Sequence, residues 1–162
     1  MRNLLISQAR RIGPKYMAVT AMFVPILLTI YWARHAAQAI DLFLYILFLV
    51  SAVFIAGSLG AAAGIVIFPA AQYLINALGI PRSAWPISHA MFCGVLCGLA
   101  AFGYCLWVYD NVARLLRYIS QPEVAIVMWG SPIAGLVVGY LVGKVLRNFA
   151  NKSEEDLNRA ST

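Results

Sequence analysis

The sequence predicts an all-α, polytopic membrane protein with four transmembrane helices, short interfacial helices in its loops, and both termini in the cytoplasm. Three observations carry that expectation. First, hydrophobic residues make up 62% of the 162-residue chain and charged residues only 11%, where an average soluble domain has roughly 25% charged residues. Second, the rare charges leave long uncharged runs: 18 residues between Lys15 and Arg34, 40 between Asp41 and Arg82, 27 between Arg82 and Asp110, and 20 between Glu123 and Lys144. A helix needs about 20 apolar residues to cross the roughly 30 Å of hydrocarbon, so spans are expected at 16–33, 42–68, 87–109 and 124–143. Third, four spans place nine of the twelve Lys and Arg residues on the side of the termini and only Arg34, Arg114 and Arg117 on the other. Basic segments stay cytoplasmic. Membrane strands are excluded because the apolar residues run continuously instead of alternating.

The first span follows a leader carrying Arg2, Arg10, Arg11 and Lys15. This basic start, the apolar run from Met17 to Trp32, and the small-x-small sequence Ala37–Gln38–Ala39 also have the form of a secretory signal. Arg34 and His35 separate the apolar run from that cleavage site, so an uncleaved anchor is expected. Pro25 removes the bond to the Ala21 carbonyl, and a kink is expected there.

The second span carries Ala52, Ala56, Gly60 and Gly64 in one row, with Gly57 and Ala61 beside it. Past Pro69, residues 70–79 read as a short interfacial helix. Gln72 and Asn76 form its polar side, Leu74, Ile75 and Leu78 its apolar side, and Gly79 its C-terminal cap. Trp85 is expected to mark the headgroup level, and Pro86 to open the third span in its first turn. That span carries Cys93, Cys97, Ala101 and Cys105 in one row and Gly94 and Gly98 in the next. Residues 110–121 then read as a second short helix, with Asp110 and Arg114 spaced as a helical ion pair and Val112, Leu115, Leu116 and Ile119 apolar.

The fourth span starts at Pro122 and Glu123, residues suited to a helix N-terminus. Pro132 is the second expected kink. Ser131, Gly135, Gly139 and Gly143 form a further small-residue row. Beyond it, 1–150 is read as the membrane domain and 151–162 as a polar cytoplasmic tail. Rows of small residues let helix backbones approach closely where no hydrophobic force drives them together. Such rows on three spans make Ala56, Gly60, Gly64, Gly94, Gly98, Gly135, Gly139 and Gly143 the expected packing residues, some within the protomer and some facing another copy or subunit.

Chemistry is poorly represented. His89, Cys93 and Cys97 use the vocabulary of metal ligands, but along one helix they spread over roughly 12 Å, and no acidic residue or second His inside the spans completes a tetrahedral shell. No metal or cofactor is expected. Ser88 beside His89 is not a nucleophile–base arrangement, because no carboxylate is placed to orient the ring. The spans contain no Asp, Glu, Lys or Arg, the groups on which proton-coupled carriers and voltage sensors depend. Asp110, Asn111, Arg114 and Arg117 form the densest polar cluster at a membrane face and could grip a phosphate headgroup or a partner. The net charge of +6 reads as topology plus attraction to anionic lipid. The dispersed cations lack the signatures of nucleic-acid binding.

The expected function is therefore that of a non-enzymatic accessory, assembly or exclusion-type subunit of a bacterial inner-membrane complex, working by helix packing as a homo-oligomer or within a larger assembly. The alternatives are a small oligomeric channel or facilitator, and a membrane enzyme acting on lipid headgroups.

Overall fold

Long uncharged runs with few helix breakers become long helices. The computed structural model describes residues 2–36, 42–118 and 120–160, and its regular elements are helical throughout. In order they are α1 (Arg2–Ala36), α2 (Leu42–Ala77), a 3₁₀ turn (Arg82–Ala84), α3 (Trp85–Tyr109), α4 (Val112–Tyr118) and α5 (Pro122–Ala160). The stretches Leu49–Ala77, Arg82–Tyr109 and Val124–Asp156 are long and apolar enough to cross a membrane, which makes this an integral membrane protein. The Ala37–Gln38–Ala39 sequence and the side chain of Glu123 lie outside the described residues.

Three boundaries differ from the sequence reading. The basic leader is the first part of α1, because Leu5, Ala9, Gly13 and Met17 recur every fourth residue and are all buried. Residues 70–77 are not a separate interfacial helix but the last turns of α2, which runs through Pro69. A proline inside a helix removes one backbone bond, and the buried Phe68 and Ala71 on either side of it, at 0% and 1% exposure, hold the chain in register. The two sides of this segment are also mixed: Gln72 is buried together with Ile75, while Leu74 and Leu78 face outward at 44% and 73% exposure. Finally, α5 continues through the polar segment to Ala160, and an ion pair between Arg82 and Glu154 ties it to the 3₁₀ turn.

The α2–α3 connection is built from its turn residues. Gly79 takes φ +64°, a left-handed conformation that costs a glycine little. The Gly79 N–H then donates to the Asn76 carbonyl at 3.4 Å and the Ile80 N–H to the Ile75 carbonyl at 3.1 Å, the bonding of a Schellman motif. Trp85 is turned inward. It is 4% exposed, and its indole N–H donates to the Ile80 carbonyl at 3.1 Å, so the ring plugs the core beneath the connection.

At the opposite end, Asp110 ends α3 with φ 55°. The side-chain oxygen of Asn111 accepts from the Ala113 N–H at 2.7 Å and starts α4. Asp110 thus stands outside α4, and the helical ion pair with Arg114 expected from their spacing is not formed. Leu115, 1% exposed, seats α4 against Cys105 and Val124 in a small core, and Tyr109 stacks on Tyr118 with ring centroids 5.3 Å apart.

The long helices pair as two antiparallel hairpins, α1 with α2 and α3 with α5. The larger core joins the hairpins at one end, through Leu5 and Ala9 of α1, Phe68 of α2, Trp85 of α3, and Leu146 and Ala150 of α5. This is the end that carries Arg10, Arg11, Lys15 and Lys144. Because Gly64 lies against Gly13 and Pro14, and Gly60 against Met17, Lys15 is level with about Ala62 on α2. Gly143 lies against Trp85 and Pro86, so Lys144 is level with the start of α3. From these levels to the far ends, α2, α3 and α5 each extend about 30–35 Å at 1.5 Å per residue.

Candidate functional site

The small-residue rows are where the helices meet. On α5, a Cβ at Gly143 would lie 2.7 Å from the Pro86 Cα, one at Gly139 2.7 Å from the Ala90 Cα and against the His89 carbonyl oxygen, and one at Gly135 2.7 Å from the Cys93 carbonyl oxygen. Real Cβ atoms do not approach backbone so closely, so the α3 backbone rests directly on these three glycines. A Cβ at Gly94 would lie 2.7 Å from the Leu136 side chain. Gly98 is looser, with only the Pro132 ring at 3.5 Å. Pro132, half-buried, therefore packs into the α3–α5 seam, and α5 is one continuous helix through it.

The α1–α2 seam is built the same way. A Cβ at Gly60 would lie 2.6 Å from both the Met17 carbonyl oxygen and the Ala21 Cβ, and one at Gly64 2.8 Å from the Gly13 carbonyl. Gly57 meets the Met22 side chain. Ala56, half-buried, lies one turn further along the row. The sequence reading missed Gly13 and Pro14, which lie on Gly64. Their signal was the row Leu5, Ala9, Gly13, Met17, Ala21, hidden by the neighbouring arginines. Pro25 is half-buried within the continuous α1.

Asp110, Arg114 and Arg117 are all exposed around α4. The structure places them near one another in the chain, and among the described residues no buried polar partner orders them into a pocket. They offer a solvated, mixed-charge surface beside the stacked tyrosines.

Two buried polar groups at the joined end were not anticipated. Gln72 and His89 are both 0% exposed. Gln72 donates from Nε2 to Asn76 Oδ1 at 2.9 Å, yet Gln72 Oε1 and Asn76 Nδ2 are buried without a hydrogen-bond partner. His89 Nδ1 is 2.9 Å from the Trp85 carbonyl, which assigns the proton to Nδ1 and leaves Nε2 as a bare, unpartnered acceptor. Unsatisfied buried polar atoms cost about 1–3 kcal/mol each. The double substitution Gln72→Leu with Asn76→Leu is accordingly expected to raise stability by about 1 kcal/mol or more, read as a higher melting temperature in detergent. A lower melting temperature would show that the pair is satisfied in the folded protein.

No group of three or more His, Cys, Asp and Glu residues able to hold a metal is found among the described residues. His89, Cys93 and Cys97 stand on successive turns of α3, and the Cys97 side chain lies 2.9 Å from where a Cβ on Gly135 would stand. The cysteines are free thiols. Comparison with protein-family models, curated proteins and solved structures finds no match to this chain.

Proposed function

We propose that this protein is a non-enzymatic accessory or assembly subunit of a bacterial inner-membrane complex, acting through helix packing with other membrane proteins. It crosses the bilayer four times with both termini in the cytoplasm. The hydrocarbon boundary on the cytoplasmic side falls at Lys15, Ala62, Pro86 and Lys144. On the other side it falls near Trp107 and Tyr109, the amphipathic residue types that settle at membrane interfaces. The spacing between these levels, about 30–35 Å, matches a bilayer core.

One observation supports this reading above the others. Glycine contacts weld the spans into two hairpins, and the surfaces left over are apolar and uncharged, as with Phe54 at 73%, Leu99 at 62% and Trp129 at 64% exposure. Such a molecule has faces to offer a neighbour and few groups with which to move a proton or break a bond. Affinity purification in mild detergent followed by mass spectrometry is expected to recover a stoichiometric membrane partner. Solute or ion flux through liposomes containing the purified protein alone, with no partner recovered, would overturn the reading in favour of a channel.

A further inference from the structure

The basic end of α1 carries cations that the protein itself does not neutralise. Arg10, Arg11 and Lys15 are exposed, α1 has no Asp or Glu from Arg2 to Ala36, and among the described residues none of the three makes an ion pair or side-chain hydrogen bond. Arg82, by contrast, is paired with Glu154. Arg11 and Lys15 stand on one face of the helix, four residues and about 6 Å apart, a spacing at which like charges repel. Beyond them the same face turns apolar. Val19, Phe23, Ile26 and Ile30 continue it at helical spacing, and all four are exposed, Val19 at 58% and Phe23 at 56%.

We propose that this face of α1 binds an anionic phospholipid of the cytoplasmic leaflet, its phosphate held by Arg11 and Lys15 and one acyl chain laid along Val19, Phe23 and Ile26. The lengths agree: Lys15 to Ile26 spans about 16 Å at 1.5 Å per residue, half of the roughly 30 Å hydrocarbon core. Charge selects the headgroup. A guanidinium takes two phosphate oxygens at once and an ammonium adds a point charge, whereas a zwitterionic headgroup brings its own cation against the same two side chains. The apolar strip selects a lipid over free phosphate, which reaches only the cations. The other described helices lack the combination. Neither α2 nor α3 contains Lys or Arg, and at the boundary level α5 exposes only Lys144, Arg147 being half-buried. The assignment rests on the membrane placement proposed above and holds whichever membrane protein the chain joins.

Native mass spectrometry of the full-length protein, released from bilayers of equal phosphatidylglycerol and phosphatidylcholine, tests it. The native chain is expected to retain phosphatidylglycerol in preference to phosphatidylcholine. Arg11→Gln with Lys15→Gln is expected to lower that retention on the order of 10-fold with unchanged helical circular dichroism, while the charge-preserving pair Arg11→Lys with Lys15→Arg keeps most of it and Lys144→Gln leaves it unchanged. Equal phosphatidylglycerol retention by the double glutamine variant, or equal retention of both lipids by the native chain, would overturn the proposal. So would full displacement of phosphatidylglycerol by inorganic phosphate, the mark of an anion site with no use for the acyl chain. Labelling of Ser7→Cys by a membrane-impermeant thiol reagent checks the placement separately: labelling from the cytoplasmic side alone is expected, and labelling from the other side would overturn the cytoplasmic assignment while the lipid retention stays readable.

Discussion

Replacing Gly139 by Ala is expected to destabilise the protein by about 3 kcal/mol, at the upper end for overpacking a close contact, because the added methyl meets backbone on the facing helix. It would lie against the His89 carbonyl oxygen and 2.7 Å from the Ala90 Cα, and neither atom can rotate aside. The internal control has the opposite sign. A methyl at Gly103 meets nothing within 4 Å, so Gly103→Ala should gain up to about 1 kcal/mol of helix propensity. Gly98→Ala, facing the Pro132 ring at an ordinary 3.5 Å, should fall between the two. Thermal unfolding in detergent, followed by the loss of the monodisperse size-exclusion peak, ranks the three. Equal melting temperatures for the Gly139 and Gly103 variants would mean that α3 and α5 are not in backbone contact.

Trp85→Ala is expected to cost about 3–5 kcal/mol, the usual range for removing a large aromatic from a packed interior. The ring is 4% exposed and lies in the core that joins the hairpins, and its loss strips the Ile80 carbonyl of the indole bond. A tryptophan that only marked the headgroup level would cost little to replace. Trp107, at 79% exposure, provides that comparison, and Trp107→Ala should shift the same unfolding curve by less than about 1 kcal/mol, as surface substitutions commonly do. If the two alanine variants unfold alike, the joined end is not packed as described.

The long helices and the small-residue rows were legible in the sequence because both depend on local quantities. A run without charges between Asp41 and Arg82 and the recurrence of Gly135, Gly139 and Gly143 every fourth position can be read without knowing what lies opposite. The ends of α2 and α5 were less legible. Pro69 looked like a terminus because a proline breaks one backbone bond whatever surrounds it, yet Phe68 and Ala71, buried against other helices, carry the helix past it. The arginines of the leader likewise masked the row that packs α1 on α2. Charge does not stop a helix.

The candidate surfaces divide in the same way. By itself the sequence determined which long segments are apolar enough for a membrane, through hydropathy, since transfer free energies belong to residues one at a time. Only the tertiary structure decided which face of each helix is spent inside the protomer. It turned Gln72 and Trp85 inward and left Leu59, Val66 and Tyr73 outside, because burial depends on which helix lies beside which. The register of one backbone on another, Gly64 on Gly13 and Gly139 on Ala90, is a property of pairs of elements and is written in neither one alone.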